Sequence, residues 1–171
     1  MTSSQLLTDG YTRINELVAR ALKDTTLTEL AFRPDPGANS IAWLVWHLTR
    51  VQDSHLAELR DEDERWVSEG WAERFDLPLA VASTGFGHTS DQVALLGSAS
   101  RELLDGYHDD VHEHTLRFLE GLADPDLDRV VDTSWDPPVT LGVRLISVLS
   151  DNLQHAGQAV FVRGISDRVG N

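Results

Sequence analysis

Hydrophobic residues recur at helical spacing in four long stretches of the chain, separated by polar and turn-forming segments. In the first stretch, residues 4–23, apolar side chains fall three and four positions apart, which predicts an amphipathic helix. The second stretch follows the turn cluster at residues 33–37, is capped by Asn39 or Ser40, and runs to the acidic segment 61–64. We predict a helix in each.

The third and fourth stretches show the same periodicity. The third covers residues 89–122 and has a cap signal at residues 90–91. The fourth is capped by Thr140 and runs to about Arg163, where Gly164 is expected to stop it. No segment has a convincing strand pattern.

The length and the four predicted helices together define the expected fold. A chain of 171 residues is long enough for one full hydrophobic core and too short for two typical domains. We therefore predict an all-α protein, a four-helix bundle that is antiparallel in part and forms a single domain over residues 1–171.

The connection between the second and third helices, residues 61–88, is long, since links in compact bundles usually have about 2–8 residues. It carries four aromatic residues, Trp66, Trp71, Phe75 and Phe86. These either pack the connection onto the bundle or form a lid over one end, and we favour packing. Residues 66–74 are expected to form a short helix.

Charge and composition exclude several kinds of binding partner and several kinds of chemistry. The chain has 28 acidic and 14 basic residues, a formal net charge of −14, which argues against nucleic-acid and anionic-membrane partners. It has no cysteine, so disulfides, thiolate metal ligands and a cysteine nucleophile are excluded. No apolar run approaches the ~20 residues that span a bilayer, and no signal-peptide pattern is present, so we expect a soluble, cytoplasmic protein.

Two polar residues stand out on the last predicted helix. Projection at about 100° per residue places these side chains on one apolar face: Leu145, Ile146, Leu149, Leu153, Ala156 and Val160. Asp151 and His155 fall on the adjoining sector, at positions i and i+4, with Cβ atoms roughly 6 Å apart. They either form a structural hydrogen bond or contribute to one metal site.

A third ligand for such a site has to come from another helix. His47 is the best candidate, because it lies within the most apolar part of the second helix. The set His47, Asp151 and His155 would leave a coordination position open, as catalytic sites require. His55 lies about 12 Å further along that helix, at about 1.5 Å per residue, so we interpret it as a structural or pocket-lining residue.

The remaining histidines lie in polar or acidic sequence: His88, His108, His112 and His114. A metal-binding tract is one interpretation, but a solvated helix face is the one we favour.

Two segments resemble a known family. NSIAWLVWH, residues 39–47, lies on the second predicted helix, and HAGQ, residues 155–158, lies on the fourth. Together they resemble the DinB/YfiT-like superfamily, and within it the actinobacterial mycothiol-dependent transferases and the metal-binding domain of maleylpyruvate isomerase. The resemblance covers nearly the entire chain and implies the DinB-like four-helix architecture.

The resemblance also implies a metal site. In that family three histidines, one on helix two and two in a His-x-x-x-His-x-Gly-Gln sequence on helix four, hold a divalent ion, usually zinc or nickel. Here His47 matches the first and His155 the third, while Asp151 replaces the second. A carboxylate ligates zinc at about 2.0–2.2 Å, and two histidines with one carboxylate form a known catalytic set.

The activity that the resemblance implies is thiol S-transfer, in which the metal activates a small thiol, mycothiol, for attack on a small electrophile. The absence of cysteine agrees with a nucleophile supplied by a cosubstrate. We assign Arg144 and Gln158 to cofactor binding: Gln158 as a hydrogen-bond partner of the ligand set, Arg144 as a partner for an anionic substrate or for Asp151. Arg163 is interpreted as a helix-end charge. No catalytic residue is assigned.

Three alternatives stay open. Maleylpyruvate isomerisation uses related chemistry, but those isomerases carry a further C-terminal domain, so transfer is favoured. A metal-dependent hydrolase would place hydroxide in the open position. A non-catalytic bundle, as a monomer or a homodimer, would use Asp151 and His155 as a structural pair.

Overall fold

The computed structural model describes residues 1–169, and its core is built from long helices. The helices, in chain order, are α1 (Ser3–Leu22), α2 (Leu27–Ala31), α3 (Ile41–Arg60), α4 (Arg65–Ser68), α5 (Trp71–Phe75), α6 (Ser90–Ala94), α7 (Arg101–Glu120) and α8 (Leu141–Val169). Two 3₁₀ turns and two short strands complete the fold: Leu95–Ser98, Asp124–Asp128, β1 (Val130–Asp132) and β2 (Val139–Thr140). The all-α prediction is confirmed, with a minor antiparallel ribbon of β1 and β2 added.

The four long helices form a ring in which each packs against two others. Helix α1 contacts α7 and α8, and α3 also contacts α7 and α8. Of the long helices that follow one another in the chain, α1 with α3 and α7 with α8 therefore lie diagonally across the bundle, and α3 with α7 lie side by side. No helix within residues 1–169 is long and apolar enough to cross a membrane.

Helices α3 and α7 run parallel to each other. Thr49 contacts His108 (3.0 Å) near the middle of both helices, and Arg60 lies over the Phe118 ring near their ends. A connection between parallel helices has to return the full length of the first, about 30 Å for 20 residues at about 1.5 Å per residue. This explains the long connection that follows α3.

The connection returns along α3 in the reverse direction. Near the end of α3, Asp53 accepts the backbone N–H of Arg65 (2.9 Å), and near its start, Trp43 Nε1 donates to His88 Nδ1 (3.1 Å). The bundle covers one side of α3 and the connection covers the other. All ten residues of 41–50 are buried as a result.

The structure corrects two predicted helix boundaries. Residues 89–122 do not form one helix, because the backbone is extended at Ala99 and α7 starts only after its cap Ser100, which accepts from Leu103 N–H. Helix α8 does not stop at Gly164. The predicted caps Ser40 and Thr140 are confirmed, since their hydroxyls accept backbone N–H groups of α3 and α8.

The inner face of α8 also differs from the predicted one. Ile146 is 54% exposed and Leu153 is exposed as well, whereas Asn152 is fully buried. Asn152 donates to Gln52 on α3 (2.6 Å), and Gln52 donates to Thr115 on α7 (2.6 Å). This polar network crosses three helices, so apolar periodicity alone misplaced the centre of the buried face.

Candidate metal centre

His47 enters the site from α3 with its ring fixed by the returning connection. The side chain is buried, and Nδ1 lies 2.5 Å from the backbone carbonyl of Thr84. A carbonyl oxygen only accepts hydrogen bonds, so Nδ1 carries the proton and Nε2 keeps a free lone pair. This is the form of histidine that ligates a metal through Nε2.

Asp151 and His155 enter the site from α8, one helical turn apart. His155 Nε2 lies 3.5 Å from Asp151 Oδ1. On the other side of the ring, His155 Nδ1 donates to Gln158 Oε1 (3.0 Å). Gln158 therefore orients His155 with Nε2 toward Asp151, as Thr84 orients His47.

The three side chains converge, as the sequence predicts. One donor atom from each of His47, Asp151 and His155 lies within 4.8 Å of the others. An ion with ligand bonds of about 2.0–2.2 Å would draw these atoms slightly closer together. No other group of three or more His, Asp or Glu residues with this spacing occurs in the part of the chain that the structure describes.

The fit of this set to a cation is supported by one unsatisfied atom. Asp151 Oδ2 is buried and has no hydrogen-bond partner among the described residues. A buried carboxylate oxygen without a partner is costly, and native proteins usually satisfy such atoms with a donor or a cation. The unsatisfied oxygen and the two histidine Nε2 atoms are together a suitable donor set for zinc or nickel.

The protonation of the site depends on burial and on the Asp151–His155 contact. Burial lowers the pKa of His47, which keeps that ring neutral. The hydrogen bond between the other two residues raises the pKa of His155 and lowers that of Asp151. In the metal-free protein this contact therefore favours a proton on His155 Nε2, and a bound cation would displace it.

Aromatic rings enclose the buried side of the site. The Trp43 ring stacks on His47, with centroids 4.5 Å apart, and meets His155 edge-on at 6.2 Å. Gly85 approaches from the connection with φ of +97°, and a Cβ there would lie 2.8 Å from His47 Nδ1. Glycine is the residue that permits both this conformation and this close approach.

The site opens on its other side into a cavity of about 440 Å³, within the range of small-molecule sites. The lining residues come from α3, α8, the returning connection and the β1–β2 segment: His47, Val51, His55, Thr84, Phe86, Trp135, Val139, Val143, Arg144, Ser147, Val148 and Asp151. Two aromatics at the mouth are strongly exposed, Phe86 at 94% and Trp135 at 69%.

Arg144 lies in this cavity but does not pair with Asp151. Its guanidinium donates to Asp132 Oδ2 (2.7 Å), and Nη1 lies 3.1 Å from His55 Nδ1. The pocket-lining interpretation of His55 agrees with this placement. Gln158 lies outside the cavity lining and contacts the site through His155 alone among its described hydrogen bonds.

The aromatic connection plays two different roles. Trp66 and Phe75 are buried and Trp71 is half-buried, so these three pack the connection onto α3 and α7, as favoured above. The expected short helix at residues 66–74 is instead two helices, α4 and α5. Only the glycine-flanked Phe86 contributes an aromatic wall to the cavity from the connection.

Sequence reasoning missed several pocket residues, among them Trp135 and Thr84, and misplaced three histidines. Trp135 could have been recognised, because it is an isolated tryptophan in a polar, proline-rich turn. Thr84 could not, because it acts through its backbone carbonyl, which has no sequence signal. His108 and His112 are buried, so the solvated-face interpretation is wrong for them. They share one side of α7 at positions i and i+4, and their acidic neighbours point elsewhere.

Arg163 and His88 also differ from expectation. Because α8 continues beyond Arg163, this residue is not a helix-end charge; it pairs with Asp167 (2.6 Å) and donates to the Lys23 carbonyl. His88 is half-buried against Trp43 and accepts from its indole N–H, rather than lying on a solvated face.

Comparison with known proteins agrees with this architecture. No curated protein matches the chain. A solved structure, described as the crystal structure of the conserved protein of a locus from Enterococcus faecalis, is 32% identical, with a TM-score of 0.91, and the alignment covers 100% of this chain and 99% of that one. The family profile of the DinB superfamily matches residues 11–159. The chain therefore belongs to the DinB superfamily.

Proposed function

We propose that this protein is a divalent-metal-dependent thiol S-transferase in which His47, Asp151 and His155 hold the ion, zinc or nickel. The observation that carries the proposal is the convergence of the donor atoms of His47 and His155 on a carboxylate whose buried Oδ2 has no hydrogen-bond partner among the described residues. Three protein ligands would leave a position for an exogenous ligand.

A divalent ion at this position would bind the sulfur of a small thiol and hold it as the thiolate. The chain itself has no cysteine, so the nucleophile has to be a cosubstrate. The family resemblance suggests mycothiol. In the reaction, a carbon–sulfur bond forms, the leaving group departs with its bonding electrons, and the thiol proton is released.

The residues around the centre have separate roles in this proposal. Thr84 and Gln158 orient the two histidines. Arg144, which is paired with Asp132 at the cavity wall, would provide guanidinium N–H donors for an anionic group of the cosubstrate about two helical turns from Asp151. Phe86 and Trp135 provide apolar surface for the electrophile at the mouth of the cavity.

The first test is metal content, measured by elemental analysis on protein purified without a metal-binding tag. We expect about one equivalent of zinc or nickel in the wild type, as for a single site, and loss of it in His155→Ala. The matched control is His114→Ala, because His114 lies on α7 and pairs with Glu62 (3.2 Å), away from the centre.

The second test is turnover of a fluorogenic alkylating electrophile with and without mycothiol. Turnover that needs both the metal and the thiol supports the transferase. Metal-dependent turnover that is the same without any thiol would contradict it and favour the hydrolase. Absence of metal from the wild type, even after reconstitution, would leave Asp151 and His155 as a structural pair.

A further inference from the structure

Arg50 is a fully buried cation three residues after His47 on α3, with its side chain 0% exposed. Its guanidinium donates to two backbone carbonyls of the connection, Ser83 (3.1 Å) and Val81 (3.4 Å). It also donates to Glu64 Oε2 (2.8 Å). One buried side chain of α3 thus holds the connection at three points.

The charge of Arg50 is balanced locally. Glu64 and Asp53, the latter 3.6 Å away, supply the negative charges, and the Tyr107 hydroxyl accepts a further hydrogen bond (3.3 Å). The guanidinium lies over the Trp66 ring, 5.0 Å from its centroid. A planar group with five donors suits such a set of partners, and an ammonium does not.

The segment that Arg50 holds is the one that fixes His47. Ser83 directly precedes Thr84, whose carbonyl accepts from His47 Nδ1. Gly85 follows, in the left-handed conformation that lets the backbone pass against the His47 ring. The position of the Thr84 carbonyl therefore depends on anchoring at Ser83 and on close contact at Gly85.

We propose that Arg50 is a positioning residue for the candidate metal centre. It holds the Val81–Ser83 backbone so that the Thr84 carbonyl keeps His47 in the Nδ1–H form, with Nε2 directed at Asp151 and His155. The inference rests on the metal-binding function proposed above, but it concerns how the protein prepares one ligand before any ion binds.

Loss of this anchor has a definite consequence. Without the guanidinium fork, the Thr84 carbonyl is free to move off Nδ1, and His47 then populates both neutral forms. Only one of them presents a lone pair at Nε2. Removal of such outer partners of metal-bound histidines typically weakens metal affinity by about 10–100-fold.

The test compares Arg50→Lys with Arg65→Lys. Lysine at residue 50 keeps a positive charge beside Asp53 and Glu64 but lacks the fork. Arg65 also anchors the connection, through Asp110 on α7 (2.7 Å), yet it does not touch residues 81–84 among its described contacts. The control therefore loosens the connection elsewhere.

Two quantities are measured. The His47 tautomer is read from long-range ¹H–¹⁵N NMR correlations of the metal-free protein, and Zn²⁺ affinity is read from competition with a chromophoric chelator. We expect the Nδ1–H form in the wild type and in Arg65→Lys. In Arg50→Lys we expect a tautomer mixture and an affinity lower by about 10–100-fold.

An unchanged His47 tautomer and unchanged Zn²⁺ affinity in folded Arg50→Lys would overturn the inference. The tautomer comparison needs no metal. A wild type that binds no Zn²⁺ therefore refutes the proposed function, while the effect of Arg50 on His47 is still decided by NMR.

If Arg50→Lys does not fold, two glycine variants test whether the 81–85 segment controls the His47 tautomer. Gly85→Ala places a Cβ against His47, whereas Gly87→Ala, at a similar positive φ of +72°, meets nothing within 4 Å. Both carry the same kind of backbone strain. A tautomer mixture in Gly85→Ala alone supports control of His47 by the anchored segment, and identical spectra in the two variants overturn it.

Discussion

The two halves of the candidate metal centre are built in different ways. The α3 half consists of His47, a buried ring whose position depends on a carbonyl far away in the chain. The α8 half consists of Asp151 and His155, half-buried side chains that contact each other and Gln158 within about two helical turns. One half is held by tertiary structure and the other by helix periodicity.

Because of this difference, substitutions in the two halves should affect protein stability and metal affinity differently. Changes around the α3 half should alter the free energy of unfolding together with metal affinity, because the same groups fix the connection and the ligand. Changes in the α8 half should alter metal affinity and leave the fold nearly intact. Variants of each half test this expectation.

The largest effect is expected for Arg50→Met. Removal of the buried guanidinium leaves Asp53 and Glu64 without their cation, and breaking a buried ion pair in this way costs about 3–5 kcal/mol. Urea unfolding measures the change. The control is Arg13→Met, which removes a fully exposed pair with Asp9 (2.6 Å) and should cost far less, because solvent screens exposed pairs. Equal losses in the free energy of unfolding would refute the distinction between the buried Arg50 ion pairs and the exposed Arg13 pair.

The next effect is expected for Asp151→Asn. The amide keeps the shape of the side chain but loses its charge, so Zn²⁺ affinity should fall by more than about 100-fold, beyond the effect of most outer partners. The free energy of unfolding of the metal-free protein should change by less than about 1 kcal/mol, because the residue is half-exposed.

The control for this variant lies on the same helix. Asp167→Asn alters an i,i+4 pair with Arg163 at the far end of α8 and should leave Zn²⁺ affinity unchanged. If Asp151→Asn unfolds the protein while Asp167→Asn does not, the α8 half is structural as well.

Acid should destabilise the protein through His108, a buried histidine of α7 that contacts Thr49 on α3. Burial lowers the pKa of His108 to about 3, from about 6.5 in an unfolded chain. Below about pH 6.5 the unfolded chain binds a proton that the folded chain does not, so this residue lowers the free energy of unfolding progressively as the pH falls toward about 3.

Urea unfolding at pH 5 and pH 7, with chelator present, measures this slope, and His108→Leu should flatten it. His155 acts with the opposite sign. Its raised pKa contributes stability that is complete below pH 6.5 and is lost as the pH rises through the folded-state pKa, so its removal should steepen the slope. A slope that neither variant changes would contradict both assignments.

The smallest effect is expected for Gln158→Ala. Loss of the Oε1 acceptor frees the His155 ring, and Zn²⁺ affinity should fall by about tenfold, the low end of the range for outer partners. Gln154→Ala is the matched control, since Gln154 lies one turn earlier and contacts only Ser150 among its described partners. Equal affinities would show that Asp151 alone orients His155.

The parts of the site that sequence reasoning found are those with local signals. The i,i+4 spacing of Asp151 and His155 and the capping residues Ser40 and Thr140 can be inferred from positions a few residues apart. The position of His47 in the most apolar part of the second helix made it the third candidate, and the resemblance to the family points to the same residue. The expectation of four long helices was correct for the same reason.

The parts that it missed depend on contacts between distant segments. The Thr84 carbonyl has no residue signature, and Ala99, where the backbone is extended, is neither a proline nor a glycine. Asn152 can lie on the buried face of α8 because its side chain donates a hydrogen bond to Gln52 on α3. Polar residues that satisfy one another in a core cannot be recognised from periodicity.

The diagonal placement of consecutive long helices has a consequence for folding kinetics. In an up-and-down bundle each new helix packs on the one before it, and such low-contact-order proteins fold fast. Here the pairs α1 with α7 and α3 with α8 join segments that lie far apart in the sequence. Among the long helices that follow one another in the chain, only α3 and α7 pack together, and the long connection separates them. We therefore expect slower folding than in an up-and-down bundle of the same length.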